Sequence, residues 1–233
     1  MFNTDISANF IAIAAVSGGT TGNAEHTFGI GYKGKLPWKK NRADMDHFRK
    51  ITTDAAPGKI NVIIMGRNTW EYDLNKRFLP ARWNIVLTQS DFSSEISGSA
   101  KYNFVKNISA LFELLKVHAS EIDKIFVIGG AQIYKQLFKY CTKLYLSKFG
   151  ASHECDTFIT IPSDFIQTEH LYTDDNLTID LLQRGHSGII GLPINTNEIV
   201  DSVKFNSWVI QNRQPSLTKE MLLNTKIHLA EEN

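Results

Sequence analysis

The stretches VIIMGRNTW, residues 62–70, and FVIGGAQIY, residues 126–134, share one design. Each begins as an apolar run typical of a strand, turns on glycine, and continues with polar residues that open a helix. Backbone N–H groups at a helix start lack an intrahelical partner and can bind phosphate oxygens. A single glycine after a strand usually makes only a turn, but two such junctions in one sheet predict a dinucleotide lying across the strand ends.

Strands and helices alternate around these two junctions. Strand patterns occur at residues 10–16, 61–65, 84–88, 124–128 and 143–149, and helical spacing occurs at 43–53, 109–118 and 131–141. The near-continuous apolar strands are typical of a parallel sheet that helices cover on both faces. The sequence therefore predicts an α/β fold.

Composition narrows the class of partner. The chain has 233 residues and a formal net charge of +1, without a long basic block, which argues against nucleic acid as the main partner. Its longest apolar run, FIAIAAV, is too short to span a membrane, and its first ten residues do not resemble a signal peptide. Two cysteines, Cys141 and Cys155, are too few for a disulfide framework and form no metal-binding pair. We therefore expect a cytoplasmic protein without a metal site or a membrane segment.

The segment GIGYKGKLPW, residues 29–38, satisfies two phosphate-binding patterns, G-x-G-x-x-G and most of G-x-x-x-x-G-K. Both patterns require a strand that leads directly into the glycines and a helix that opens on them. Pro37 disfavours a helix start at this point, so we reject both interpretations. Two alternatives stay open: a mobile lid that closes over a ligand, or a surface connector whose Trp38 fills the core.

Asp44 occupies an unusual position on the predicted helix 43–53. At 100° per residue, Met45, Phe48 and Ile51 form an apolar stripe, and Asp44 shares that stripe instead of joining the other charges. An acid in the first turn of a helix often bends out to water and stabilises the helix dipole. The alternative is a carboxylate in an apolar pocket that binds a hydrogen-bond donor on a ligand.

These motifs together resemble the dihydrofolate reductase family, from about residue 10 to about residue 162 and in the family's order. IAIAAVS resembles its first strand, IGYKGKLPW its mobile lid, and ADMDHFRKIT the helix with its pterin-binding acid. VIIMGRNTWE, LPARWNIVLT, FVIGGAQIY and CDTFITIP resemble its later blocks. The resemblance implies a dihydrofolate-reductase-like domain over residues 1–233, with a twisted, mostly parallel sheet, an antiparallel C-terminal edge and flanking helices. It also implies NADPH-dependent reduction of 7,8-dihydrofolate to 5,6,7,8-tetrahydrofolate.

The resemblance assigns roles at the substrate site. Asp44 is implied to bind N3 and the 2-amino group of the pterin, with Thr157 hydrogen-bonded to the acid from behind. Trp38 and Leu36 border the water that protonates N5, and Arg82 grips the α-carboxylate with a two-pronged contact that lysine could not copy. The other implied substrate-binding residues are Ile13, Met45, Phe48, Leu79, Ile128 and Tyr134. Antifolates such as methotrexate are expected to bind the same site.

The resemblance also assigns the residues that bind NADPH. They are Ala15, Ile30, Gly66, Arg67, Asn68, Thr69, Thr88, Lys106, Ile128, Gly129, Gly130, Ala131, Gln132, Ile133 and Tyr134. Ala15 and Ile30 are implied to present backbone groups to the nicotinamide carboxamide, and Gly129–Gly130 resembles the family's cis-linked pair. Arg67 and Thr88, with Lys106, correspond to positions around the adenosine 2′-phosphate, which favours NADPH over NADH.

The sequence departs from the family pattern in several places. The lid carries extra residues at 17–28, Gln89 replaces an arginine that some members have, and EYDLNKRF replaces a common Ser-Ile pair. Residues 166–233 match poorly. We expect a loop inserted at 185–198, a strand at 203–210 that supplies the final hairpin partner, and a helical tail at 216–231.

Two other functions are compatible with parts of this pattern. A reductase of riboflavin biosynthesis uses a similar sheet, but it lacks the Leu-Pro-Trp lid and the acid after it. A binding module that holds NADPH or a folate without catalysis is the second alternative. Association with a thymidylate synthase, which is fused to this family in some organisms, is an expectation by analogy only.

Overall fold

The computed structural model describes residues 10–17, 26–90 and 101–185. All of these residues fall in one compact unit. Most of the lid extension at 17–28, the loop expected at 185–198, the strand at 203–210 and the helical tail at 216–231 lie outside the described residues. The prediction of one domain over residues 1–233 therefore stays a prediction.

Ten strands and three α-helices make up the described fold. The strands are β1 Phe10–Ser17, β2 Thr27–Gly31, β3 Ile60–Gly66, β4 Trp83–Leu87, β5 Tyr102–Val105, β6 Ile122–Val127, β7 Lys143–Phe149, β8 Thr157–Thr160, β9 Phe165–Thr173 and β10 Leu177–Arg184. The helices are α1 Arg42–Thr53, α2 Ile108–Val117 and α3 Ala131–Leu137, with shorter turns at Thr69–Asp73, Ala119–Glu121 and Phe138–Tyr140. The five strands and three helices that were predicted within the described residues are all present, although the third helix is α-helical only as far as Leu137.

Eight strands form one sheet in the order β5-β4-β3-β6-β1-β7-β10-β9. The first six strands in this order, from β5 at the edge to β7, run parallel to one another. β10 runs antiparallel to both β7 and β9. The predicted α/β class, with a mostly parallel sheet and an antiparallel C-terminal edge, is confirmed.

The central strands are buried on both faces, as their uninterrupted apolar runs predicted. Ile64 belongs to the large core cluster that includes residues of α2 and α3. Its neighbour Ile63 belongs to a second cluster, against which Phe48 of α1 packs. Successive side chains of a strand point to opposite faces, so one apolar run supplies both layers of the core.

The antiparallel edge of the sheet contains two strands that we did not predict. β9 and β10 form a hairpin there. The strand expected at 203–210 as the final hairpin partner lies outside the described residues, so it stays a prediction. The apolar pattern of β10 is interrupted by Asp180, a charged residue at a position that is only 1% exposed, and the strand was therefore not predicted. Lys148 and His170 lie 2.7 and 2.8 Å from its carboxylate, and this pairing makes burial of the charge possible.

The glycines of residues 29–34 serve packing and turning. β2 pairs with β8 in a separate two-stranded sheet. A Cβ atom added to Gly29 would lie 2.4 Å from Cys155 Sγ. Gly34 has a φ of +76° in a turn that two backbone hydrogen bonds between Tyr32 and Lys35 close. No helix opens on these glycines within residues 26–41, in agreement with our rejection of a phosphate loop.

Replacing Gly29 by alanine is therefore expected to lower the free energy of unfolding by about 1–3 kcal/mol, because the new methyl group overlaps Cys155. Urea unfolding measures this loss. Gly150→Ala is the matched control, since the atom nearest to its added Cβ would be the carbonyl oxygen of Asp175, at 3.7 Å. Combining Gly29→Ala with Cys155→Ala should reduce the loss, and an unchanged loss would contradict the proposed overlap.

Two further observations concern only residues 10–17, 26–90 and 101–185. None of the helices there is both long and apolar enough to cross a membrane. The same ranges contain no group of three His, Cys, Asp or Glu side chains placed to hold a metal ion.

Candidate active site

A cavity of about 550 Å³ opens where β3 and β4 end and α3 begins. It lies at the carboxyl end of parallel strands, where open α/β sheets bind their ligands. The predicted site residues that line it are Ile30, Leu36, Gly66, Arg67, Asn68, Thr69, Thr88, Lys106, Gly130, Ala131, Gln132, Ile133 and Thr157. The structure therefore brings most of the predicted cofactor-binding residues together around one space.

The two glycine junctions meet directly in the floor of this cavity. The N–H of Gly66 donates to the carbonyl oxygen of Gly129 at 2.8 Å, and the Gly129–Gly130 peptide is cis, as the resemblance implied. A Cβ atom added to Gly66 would lie 3.0 Å from Ile133 Cγ1. Because Gly66 has no side chain, a ligand in the cavity can approach the backbone closely at this point.

Tyr134 fixes the start of α3 against the sheet. Its ring is buried, and its hydroxyl donates to the carbonyl oxygen of Ile13 on β1. A Cβ atom added to Gly129, which has a φ of +105°, would lie 2.8 Å from the Tyr134 ring. Burial raises the pKa of Tyr134, and the negative charges of Asp73 and Asp44 act in the same direction, so its hydroxyl stays protonated.

One wall of the cavity is suited to phosphate. The Arg67 guanidinium is partly exposed, pairs with Glu71 at 3.2 Å and donates to Ser90 Oγ at 3.0 Å. Thr88 and Lys106 line the same wall. α3 begins without a side-chain cap, so its first N–H groups are open to an oxygen-bearing ligand.

Asp44 lies in the first turn of α1, where the Asn41 side chain caps the helix and accepts from the Asp44 N–H at 3.1 Å. The residue is half-buried. Burial raises the pKa of its carboxyl group, while a hydrogen bond from Ser147 and the charge of His47 act in the opposite direction. Asp44 is therefore turned toward the sheet, which favours the pocket interpretation over an acid that bends out to water.

Ser147, and not Thr157, hydrogen-bonds Asp44. The Thr157 hydroxyl donates to Asp156 Oδ1 at 2.9 Å, and Thr157 lines the cavity. Ser147 is 4% exposed in the middle of β7, opposite Ala15 of β1 in the strand register. A serine placed directly after Leu144–Leu146 in β7 was the signal that could have identified it, since buried polar groups need hydrogen-bond partners.

Arg82 is a buried cation, 5% exposed, that packs against α1. Its guanidinium donates to the Pro80 carbonyl oxygen at 2.9 Å and to Thr52 Oγ1 at 2.7 Å, and lies 6.0 Å from the centre of the Phe48 ring. Burial and the nearby charge of Arg49 lower its pKa. Within the described ranges, no carboxylate lies within ion-pair distance of this guanidinium, so its remaining donors are available to an anionic ligand.

The predicted apolar substrate residues fall into two groups. Ile13, Phe48, Leu79 and Ile128 belong to one core cluster on the α1 side of the sheet. Met45 is 50% exposed and Leu36 is 49% exposed. Exposed apolar side chains beside a cleft are typical of sites that bind an apolar ligand ring.

Trp38 anchors the end of the lid segment. Its ring stacks on Phe149 at 4.5 Å and meets the edge of His153 at 5.8 Å. Ala15 packs against the same small cluster. Neither Trp38 nor the substrate candidates on α1 line the cavity, so they are separate from the cofactor candidates that do.

Fold and site define an α/β protein with a cavity at the carboxyl end of its parallel strands and a half-buried acid on helix α1. A family model described as dihydrofolate reductase matches residues 23–180. Because the match covers more than half of the chain, the chain belongs to the dihydrofolate reductase family.

Curated relatives agree with this family. The chain is 36% identical over 139 residues to a dihydrofolate reductase of Schistosoma mansoni and 35% identical over 142 residues to one of Candida albicans, covering 56% and 58% of this chain and 71% and 70% of those proteins. It is 40% identical over 148 residues, 61% of its length, to a bifunctional dihydrofolate reductase-thymidylate synthase of Glycine max. The match covers only 27% of that plant protein's length.

Proposed function

We propose that the protein reduces 7,8-dihydrofolate to 5,6,7,8-tetrahydrofolate with NADPH in the cytoplasm. The observation that carries the proposal is the arrangement of one acid and one arginine along a single face of α1. Asp44, Phe48 and Thr52 follow each other at intervals of four residues, and Arg82 is bonded to Thr52. Residues four apart share a helix face, so the acid and the arginine lie at opposite ends of it.

The length of this face fits the proposed substrate. Asp44 and Thr52 are two helical turns apart, about 12 Å at 1.5 Å per residue. Dihydrofolate is an elongated molecule with a pterin at one end, an aminobenzoyl ring in the middle and glutamate carboxylates at the other end. Asp44 would bind the pterin, Phe48 would contact the middle ring, and Arg82 would bind the α-carboxylate.

Asp44 would act on the pterin as an acceptor and as a negative charge. Its two oxygens can accept from the N3 and 2-amino groups of the ring, which orients C6 and N5. A carboxylate in a half-buried site also stabilises positive charge on the ring, so protonation of N5 becomes easier. In this proposal water beside Leu36 and Trp38 delivers the proton, and Asp44 does not donate it directly.

The residues around the cavity fit NADPH. Arg67, Thr88 and Lys106 would hold the 2′-phosphate, and Thr69 with the start of α3 would hold the pyrophosphate. Because glycine has no side chain, the two glycine junctions allow the backbone to approach the pyrophosphate. When bound, NADPH would supply the hydride that pterin C6 accepts, and the lid segment would exclude water from the two ligands.

The absorbance of NADPH, followed with and without dihydrofolate, tests the proposed function. Oxidation that depends on dihydrofolate is the expected result. Oxidation with a ribosylaminopyrimidine alone would favour the riboflavin-type reductase. Tight binding of NADPH or folate without turnover would favour a binding module.

Arg67→Gln is expected to lower kcat/KM for NADPH about tenfold while changing the value for NADH little, because the lost charge-assisted hydrogen bond involves only the 2′-phosphate. Steady-state kinetics with both cofactors measures this change in preference. Arg42→Gln is the matched control, since Arg42 is exposed and paired with Asp46 on α1, and it does not line the cavity. An equal loss for both cofactors would contradict the role of Arg67.

The proposed ligands extend to antifolates such as methotrexate, whose 2,4-diaminopteridine ring can donate to a carboxylate in the same way. An association with thymidylate synthase is proposed only by analogy with the plant relatives, whose names include that activity.

A further inference from the structure

Asp73 is an acidic residue of the cavity that the family resemblance does not assign. It is the last residue of a π-helical turn, Thr69–Asp73, inside the EYDLNKRF segment where the family commonly has a Ser-Ile pair. Its side chain lines the cavity together with Thr69, Leu36 and Lys35. Single π-helical turns are frequent at functional sites because they redirect one side chain out of the helical repeat.

The Asp73 carboxylate has no hydrogen-bond or ion-pair partner among the residues that the structure describes. The other acid of the turn, Glu71, is already paired with Arg67 at 3.2 Å. Asp73 is an exposed residue of the cavity lining. The protein that covers part of its carboxylate raises its pKa to about 6. An acid without a protein partner at the edge of a ligand cavity is available to a positive group of the ligand.

Asp73 lines the same cavity as Leu36 of the lid segment. The negative charges of Asp73 and Asp44 both act on the Tyr134 hydroxyl. In the proposed function, Asp44 would hold the pterin, Arg67 and Lys106 would hold the 2′-phosphate, and Asp73 would face the nicotinamide.

We propose that the Asp73 carboxylate makes this site bind the oxidised, positively charged nicotinamide cofactor more tightly, relative to the reduced one, than a neutral residue would. The inference rests on the proposed use of NADPH. The oxidised ring carries a positive charge and the reduced ring is neutral, so a nearby carboxylate attracts only the oxidised form. The same preference would favour the positive charge that the ring gains when it loses hydride, and it would slow the release of the oxidised cofactor.

The experiment compares dissociation constants of NADP⁺ and NADPH for the full chain, measured by calorimetry in the absence of substrate. In Asp73→Asn, the ratio of the NADP⁺ constant to the NADPH constant should rise about twofold to fivefold, the range of a partly exposed ion pair. Asp73→Glu should keep the ratio near the parental value, because it keeps the charge. Asp46→Asn, which removes an exposed acid of α1 outside the cavity, should also leave it unchanged.

Repeating the measurement at pH 5 and pH 8 tests whether this carboxylate is responsible. Asp73 is charged at pH 8 and largely protonated at pH 5, so the parental ratio should approach the Asp73→Asn ratio as the pH falls. Other groups that face the cavity or act there are Lys35 of the lid, the Arg67–Glu71 pair of the same turn, Lys106, Asp44 on α1 and Tyr134 on α3. All of them are retained in Asp73→Asn, so the difference between the two proteins isolates Asp73.

Three outcomes would overturn the inference. An unchanged ratio in Asp73→Asn at pH 8, with both cofactors still bound, would refute it and leave the proposed function intact. Equal weakening of both cofactors would assign Asp73 a role in binding without charge selection. A parental chain that binds neither cofactor would refute the proposed function and this inference together.

Discussion

Replacing Asp44 by asparagine is expected to lower kcat for dihydrofolate by about 100-fold or more at neutral pH, with NADPH affinity near the parental value. Asparagine has nearly the same shape, but it lacks the negative charge that favours a proton on N5. The deficit should narrow as the pH falls, because protonation by the solvent then needs less help from the acid. Steady-state and single-turnover kinetics over a pH series would measure both effects.

The stability of this variant separates a chemical defect from unfolding. Folding raises the pKa of Asp44, so the folded state favours its protonated form. The stability linked to that proton is present at low pH and is lost as the pH rises through the raised pKa. Asparagine stays neutral, so at pH 7 to 8 the variant should be at least as stable to urea as the parent.

The neighbouring acid of α1 is the control for this substitution. Asp46 has a side chain that is 70% exposed, and its partner is Arg42 of the same helix. Asp46→Asn should therefore keep parental kinetics. Parental turnover of dihydrofolate by Asp44→Asn would show that the acid has no part in the reaction.

Arg82→Lys should raise KM for dihydrofolate about tenfold to a hundredfold, while leaving NADPH affinity unchanged. Lysine keeps the charge but cannot form two parallel hydrogen bonds with one carboxylate. Dihydropteroate, which lacks the glutamate, offers the sharper comparison. Its KM should hardly differ between the parent and Arg82→Lys.

Two controls keep this result interpretable. Arg82 also donates to Pro80 and Thr52, so urea unfolding must show that the variant remains folded in the assay. Arg77→Lys makes the same chemical change at an exposed position and should leave KM for both substrates unchanged. A similar rise in KM for dihydrofolate and dihydropteroate would contradict the carboxylate contact.

Patterns within short segments predicted much of the fold. The uninterrupted apolar run of β3 and the helical spacing of α1 are local properties, so the elements they predicted are present. β10 escaped prediction because Asp180 interrupts its apolar pattern, and its partners Lys148 and His170 come from the neighbouring strands β7 and β9. A single sequence shows the charge of Asp180 but not the cations that make its burial possible.

Some residues of the candidate site were likewise predicted from the sequence, and others were not. The glycine junctions and the inward position of Asp44 followed from residue type and helical period. Ser147 did not, because only the placement of β7 beside β1 brings this hydroxyl to the acid of α1. Asp73 was not predicted either, since a π-helical turn interrupts the 3.6-residue helical repeat from which side-chain directions are inferred.

The sequence by itself determined the succession of strands and helices, the two bare glycine junctions and the face of α1 on which Asp44 lies. These properties depend on backbone preferences and periodicity over a few residues. Only the tertiary structure decided that Ser147 supports the acid, that Arg82 reaches Thr52 and that Asp73 opens into the cavity. Those relations join residues far apart in the chain, and the packing of α1 and the π-helical turn against the sheet sets their distances.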